Sequence, residues 1–197
     1  MKYISHRVNT IENLIKTPKE YGVEIDLRDS GNRIILQHDP FKGGQDFEEY
    51  LEYFNHGTMI LNIKSEGIEL KVLELLKKYN IKHYFFLDSS FPMIHKLSKG
   101  GEKNIAIRFS EFEGVDTILN MSGKINWIWV DCFSKLPITV KKFNIFRSLK
   151  FKLCLVSPEL QKQEEKLEIY KKYLYDNGMQ FDAVCTKLHN IVTWKVN

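Results

Sequence analysis

Cysteine, proline and long apolar runs are all scarce in this chain. Its 197 residues include three cysteines and five prolines. The three thiols, Cys132, Cys154 and Cys185, cannot all pair, and each lies in or beside an apolar run. They read as reduced core thiols of a cytoplasmic protein, and no CxxC or Cys/His spacing suggests zinc. No apolar stretch reaches the roughly 18 residues needed to span a bilayer, so no transmembrane segment is expected. The first residues, Met1-Lys2-Tyr3-Ile4-Ser5-His6-Arg7, lack the apolar core of a secretion signal, so export is not expected. A Pro/Gly-rich linker, a low-complexity tract and a strong internal repeat are missing too. Residues 1–197 are therefore expected to form one domain.

Charge of one sign is also in short supply. The net charge is +4, and lysines are interspersed with glutamates. The run Lys162-Gln163-Glu164-Glu165-Lys166 reads as a solvated helix face. A nucleic-acid binder would concentrate its basic residues in a stripe with interleaved aromatics, so nucleic acid is not an expected partner. A small anionic substrate fits a thinly spread positive charge.

What the chain does have is an ordinary globular balance, 43% hydrophobic and 27% charged, in a regular alternation. Short apolar runs predict strands at Tyr3 to Ser5, Val23 to Leu27, Met59 to Ile63 and His83 to Leu87. More follow at Ile105 to Ile107, Trp127 to Val130, Leu153 to Val156 and Asp182 to Cys185. A hairpin-like extension is predicted at Arg33 to Gln37, after the turn Asp29-Ser30-Gly31-Asn32. Helical spacing marks Ile68, Val72, Leu73, Leu75 and Leu76. It marks Leu167 to Leu174 as well, stopped by Asn177-Gly178. Eight strands alternating with helices predict a parallel α/β sheet closed into a minimal (β/α)8 TIM barrel, with an open doubly wound sheet as the alternative. Only 11 residues follow Thr186, so the last helix is expected to be reduced or missing.

The C-terminal ends of parallel barrel strands meet at one mouth. Polar residues collect there: His6-Arg7, Glu24 and Asp26, His38-Asp39, Asn62 and Lys64, Asp88, Arg108, Asp131, Ser157, and Thr186-Lys187. Glu24 and Asp26 are two apart in a strand and share a face, opposite the apolar set Val23, Ile25 and Leu27. Two carboxylates in a partly dry site repel each other unless they share a proton or bind a cation. Oxygen donors of this kind suit magnesium or calcium rather than zinc. The plain alternative is an edge strand with both acids in solvent. His6 and His38 have the imidazole chemistry of an acid and a base, or serve as structural donors. Arg7 and Lys64 offer positive charge for a phosphate, or are ordinary ion-paired cations.

His6-Arg7, Glu24-Ile25-Asp26 and His38-Asp39, in this order, resemble the signature of the glycerophosphodiester phosphodiesterases. That family belongs with the phosphatidylinositol-specific phospholipase C-like barrels. Ile11-Glu12-Asn13-Leu14, between the first two motifs, resembles a degenerate PENT segment of that family, and Ser89-Ser90-Phe91 and Phe181-Asp182-Ala183-Val184-Cys185-Thr186 resemble later segments. The resemblance implies a metal-dependent phosphodiester hydrolase acting on a glycerophosphodiester or similar small phosphodiester. It implies a divalent cation (Mg or Ca) held by Glu24, Asp26 and Asn62. His6 and His38 would be the acid and base, and Arg7 and Lys64 the phosphate holders. Three positions depart from the pattern: Asn62 replaces a carboxylate, Val8 a glycine and Lys187 an aspartate. They leave open a catalytically silent barrel that binds a phosphorylated ligand or a protein partner.

Overall fold

A computed structural model describes residues 1–195. The chain runs β1 (Lys2–Ser5), α1 (Ile11–Lys16), β2 (Gly22–Ser30), β3 (Arg33–Leu36), β4 (Gln45–Asp46), α2 (Phe47–Tyr53), β5 (Met59–Ile63) and α3 (Glu69–Lys78). It continues through β6 (Tyr84–Leu87), α4 (Phe91–Lys99), β7 (Ala106–Phe109), α5 (Asp116–Asn120), β8 (Trp127–Val130), α6 (Val140–Ser148), β9 (Lys152–Val156), α7 (Leu167–Asp176), β10 (Ala183–Thr186) and α8 (Ile191–Lys195). Parallel pairing links β7, β8, β9, β10, β1, β2, β5 and β6 in that order. A parallel bridge between Phe86 and Ile105, with the Phe86 N–H donating to the Asn104 carbonyl at 2.8 Å, joins β6 back to β7. The result is the eight-stranded α/β barrel expected from the alternation, ending in a helix of five described residues.

Two apolar layers follow from the period-two strands. Outward-facing Val23, Ile25, Leu27, Leu61 and Ile128 pack against the helices. Inward-facing residues fill the lumen with unequal sizes. Phe85 and Trp127 stack at 4.5 Å, while Ala106, Ala183, Cys154 and Cys185 are small. All three cysteines are free and buried, and burial raises their thiols, Cys132 up to about 12. Gly22 is required where β2 leaves the bottom of the barrel, because a Cβ there would meet the Thr58 carbonyl oxygen at 2.3 Å.

Local signals set the helix starts. Asp46 caps α2, Ser90 caps α4 and Thr139 caps α6, each accepting from backbone N–H groups of the first turn. Helix α7 stops at Asn177, and Gly178 follows with φ 62°.

One segment keeps to the sequence reading with an addition, and one differs from it. The extension at Arg33 is an antiparallel strand on the overhanging end of β2, and it gains a further two-residue strand, β4. Residues 162–166 are not a solvated helix face. They fall between and within two short 3-10 turns, and Gln163 is buried, donating to the carbonyls of Cys132 at 2.8 Å and Phe133 at 3.0 Å. The buried carbonyls of Cys132 and Phe133 in the loop after β8 need a donor, and Gln163 supplies it from a turn rather than from a helix face.

Candidate functional site

The mouth of the barrel is built on β2. Its alternation turns Glu24 and Asp26 inward, where they are 1% and 0% exposed, rather than onto a solvated edge. Asp26 lies beside Asn62 in the β2–β5 register. Glu24 accepts from the Asn62 amide at 2.9 Å and from the Arg7 backbone N–H at 2.8 Å. Asp26 accepts from the Asn9 amide at 2.8 Å, and Asn9 takes the Asp26 N–H in return at 2.9 Å. Arg7 holds φ 55°, a left-handed turn that points its N–H back at Glu24. Tyr50 braces the same loop by donating to the Val8 carbonyl at 2.9 Å.

Electrostatics follow from this burial. Desolvation, reinforced by the charge of Asp26, raises Glu24 from 4.5 to about 7 against hydrogen bonds from Asn62 and Arg7. His6 Nε2 lies 3.8 Å from Glu24, and its imidazole is pushed down to about 4, first by burial and then by the Arg7 charge. His6 is therefore neutral at neutral pH. The side chains of Arg7 and Lys64 approach Asp26 at 3.9 and 3.5 Å. Lys64 also reaches Asp88 at 3.7 Å.

A ribbon of alternating charge continues across the mouth. Asp88 and Asp131 both hold the Arg108 guanidinium, and Asp131 accepts from the Cys132 N–H at 2.9 Å and Gln161 at 2.8 Å. Asp88 has φ 58°, a conformation that costs a non-glycine residue energy and is often kept at functional sites. On the opposite wall, buried Glu159 accepts from Ser157, Thr186 and the Lys187 N–H, and Trp194 donates to Ser157 at 2.8 Å. Among the described residues, β6 and β7 do not pair above the Phe86 bridge. A cavity of about 420 Å³ opens there, lined by Asp88, Ser89, Arg108 and Glu113 together with Phe91 and Ile94.

Of the residues singled out from sequence, His6, Arg7, Glu24, Asp26, Asn62 and Lys64 come together. The His38 side chain makes no hydrogen bond or ion pair with this group among the described residues. Its Nδ1 pairs with Asp39 at 2.9 Å, and Asp39, also bonded to Lys42, is lowered to about 2. Lys187 lies on the rim and pairs with Glu164 at 3.3 Å rather than facing the acids. Two organising residues were not evident from sequence. Asn9 fixes Asp26. Arg28 donates to the His38 carbonyl at 2.9 Å and to the Lys64 carbonyl at 3.0 Å, tying two mouth segments together. Both resemble ordinary loop or strand-end polar residues, and no spacing rule distinguishes them.

The oxygen donors fit a hard divalent cation. Asp26 Oδ1, 3.5 Å from the Lys64 ammonium, and Asn62 Oδ1 are buried without a hydrogen-bond donor, and Asn62 faces Glu24 through its amide nitrogen. Among the described residues no three His, Cys, Asp or Glu side chains converge as a metal cluster. The available set is thus two carboxylates and one amide oxygen.

No protein-family model matches the chain, and no curated protein matches it. Solved structures do. A candidate glycerophosphodiester phosphodiesterase from Galdieria sulphuraria is 18% identical with a TM-score of 0.72, over 98% of this chain and 97% of that one. A glycerophosphodiester phosphodiesterase from Agrobacterium tumefaciens is 12% identical with a TM-score of 0.69, over 99% of each chain. A glycerophosphoryl diester phosphodiesterase from Parabacteroides distasonis is 12% identical with a TM-score of 0.65, over 98% of this chain and 85% of that one. What is shared at this identity is the fold, over essentially the whole length of this chain.

Proposed function

We propose that this barrel is a metal-dependent phosphodiester hydrolase acting on a glycerophosphodiester or a similar small phosphodiester. The observation that carries the reading is the buried pair Glu24 and Asp26, with two undonated oxygens on Asp26 and Asn62, ringed by Arg7, Lys64 and a neutral His6. Burying two carboxylates this deeply is costly unless a cation or a proton joins them. The shared fold with proteins named as phosphodiesterases agrees with this reading.

Glu24, Asp26 and the Asn62 carbonyl would hold the divalent cation. When bound, it neutralises phosphate oxygens and stabilises charge developing at phosphorus. Arg7 and Lys64 would hold the remaining phosphate oxygens, with Lys64 kept in place by Asp26 and Asp88. Neutral His6 accepts the proton of the attacking hydroxyl, either water or a neighbouring substrate hydroxyl. Protonated His38 delivers a proton to the departing alkoxide, so each step conserves protons. If the substrate's own hydroxyl attacks, the product is a cyclic phosphate that water opens with the two roles reversed. The cavity between β6 and β7 offers space for one of the two alcohols. Residues Arg28 and Asn9 act through their neighbours and position the groups that touch substrate.

A panel of phosphodiesters incubated with magnesium, calcium or chelator tests this reading. Cation-dependent release of a phosphomonoester, lost in His6→Ala and His38→Ala, is the expected result. Binding of a phosphorylated ligand without turnover, unaffected by chelation, would replace it with the silent-barrel alternative that Asn62 and Lys187 leave open.

A further inference from the structure

Lysines gather at the end of the barrel opposite the mouth, where the parallel strands begin. Lys2 opens β1 and Lys152 opens β9. Lys82, Lys103, Lys124 and Lys150 lie two or three residues before β6, β7, β8 and β9 respectively. All six are exposed. Backbone bonds hold these strand feet side by side. The Lys103 carbonyl accepts from the Asn126 N–H at 2.8 Å, and the Lys152 N–H donates to the Asn126 carbonyl at 2.8 Å. The Lys2 N–H donates to the Asp182 carbonyl at 2.7 Å. In barrel order the feet run β6, β7, β8, β9, β10 and β1. Neighbouring strands stand about 4.8 Å apart, so these feet span an arc of roughly 24 Å.

Acids do not balance this face. The two in these segments, Glu102 and Asp182, are already engaged. Glu102 accepts from the Tyr84 hydroxyl and the Asn104 N–H, both at 2.6 Å. Asp182 holds Arg147 at 2.6 Å and accepts from the Leu153 N–H at 2.8 Å. Among the described residues the lysines in ion pairs are others, such as Lys16 and Lys172. Helix C-termini also point to this end and favour cations, and Lys124 serves one of them, with its Nζ on the Asn120 carbonyl at 2.9 Å. That does not account for Lys2 and Lys152, which stand on strands. The Lys2 ammonium bonds Thr58 Oγ1 at 2.8 Å and is held below its ordinary value, first by burial and then by the Lys152 charge. Lys152 lies over the Trp127 ring at 5.6 Å. Like charges crowd here with no free acid between them, and a polyanion would relieve their repulsion.

We propose that this face binds the phosphate backbone of a nucleic-acid duplex. The six lysines come from separate loops, so no basic stripe shows along the sequence, and only the closed barrel brings them together. A duplex carries one negative charge per about 1.7 Å of axis, so an arc of roughly 24 Å meets several phosphates. Lysines offer point charges without the planar fork that reads a base edge, which suits backbone contact without sequence preference. A specific protein partner would need aromatic or aliphatic anchors, and Met1 is the one exposed large apolar side chain among the described residues of these segments. Single-stranded nucleic acid would need exposed rings for its bases, whereas Trp127 is buried and the Tyr84 hydroxyl is tied to Glu102. This face lies away from the candidate site, and its binding is independent of the hydrolase reading.

The test is fluorescence anisotropy of a labelled duplex of about 20 base pairs, titrated with the full chain between about 50 and 200 mM salt. Binding whose log–log salt slope is roughly −4, as four or five phosphate contacts would give, is the expected result. Lys103→Glu and Lys152→Glu are each expected to weaken binding roughly tenfold and to flatten the slope by about one. Lys71→Glu, at the mouth end of α3, is expected to bind as the wild type does. Two separate reversals keep the test decisive if one variant fails to fold. Absence of binding at about 50 mM salt, or reversals that bind no more weakly than Lys71→Glu, overturns the proposal. Binding to poly-glutamate or to phosphatidylserine vesicles as tight as binding to the duplex overturns it as well.

Discussion

Asn62 donates its side-chain amide to Glu24 across the paired strands β5 and β2, at 2.9 Å. That bond steadies a buried carboxylate with a neutral partner and leaves the Asn62 carbonyl oxygen undonated. Restoring a carboxylate by Asn62→Glu is expected to tighten divalent-cation binding by roughly tenfold or more, since each added charge strengthens a hard-ion site. The same change is expected to destabilise the metal-free protein by adding a third buried acid. Titration calorimetry and thermal melts with and without chelator check both halves.

Glu24 gives the metal-free protein a pH dependence of definite sign. Its folded-state value is about 7, against 4.5 for an ordinary glutamate. Below about pH 4.5 it is neutral in both states and has no effect. As pH rises toward 7 the unfolded chain ionises first, so stability falls, by an amount on the order of 3 kcal/mol, and then levels off. Urea unfolding across this range is expected to show that decline, and Glu24→Gln or added cation is expected to flatten it.

His6 is expected to remain neutral through the physiological range. Burial and the Arg7 charge hold it near 4, so in the metal-free protein its ring nitrogen shifts should stay those of a neutral imidazole between about pH 5 and 8, with only the smaller perturbation from Glu24 ionising 3.8 Å away near pH 7. His6→Ala is expected to lower kcat by roughly 100-fold or more while leaving the fold intact, as judged by circular dichroism.

The chemistry of the mouth was legible where it obeyed a period. Glu24 and Asp26 could be assigned to one face because Val23, Ile25 and Leu27 occupy the other, and the structure keeps that division. Barrel class followed from the alternation of short apolar runs with helices. Residues whose role depends on one distant partner left no such trace. Arg28 reads as a strand-end cation until the carbonyls of His38 and Lys64 are seen around it. Gln163 sat in a charged run that suggested a surface helix, yet it satisfies two carbonyls in the interior. The opening between β6 and β7 was also invisible, because strand patterning says nothing about which neighbours splay apart.

Arg28 is accordingly expected to behave as a positioning residue. Arg28→Ala frees the segments carrying His38 and Lys64, and should lower kcat by about 10- to 100-fold with a smaller change in KM. Arg28→Lys is expected not to rescue activity, because an ammonium cannot span both carbonyls as the planar guanidinium does. Steady-state kinetics on the two variants distinguishes this from a general loss of stability, which would reduce the active fraction without a selective effect on kcat.

The buried acids are expected to bind a cation that the hydrolysis of a phosphodiester requires. Phosphorus NMR of glycerophosphodiester turnover, run with magnesium, calcium and chelator on the wild type and on Asp26→Asn, addresses it most directly. A phosphomonoester signal that grows only with added cation, and is absent in the variant, is the result the account requires. Equal turnover in chelator, or undiminished turnover in Asp26→Asn, would contradict it.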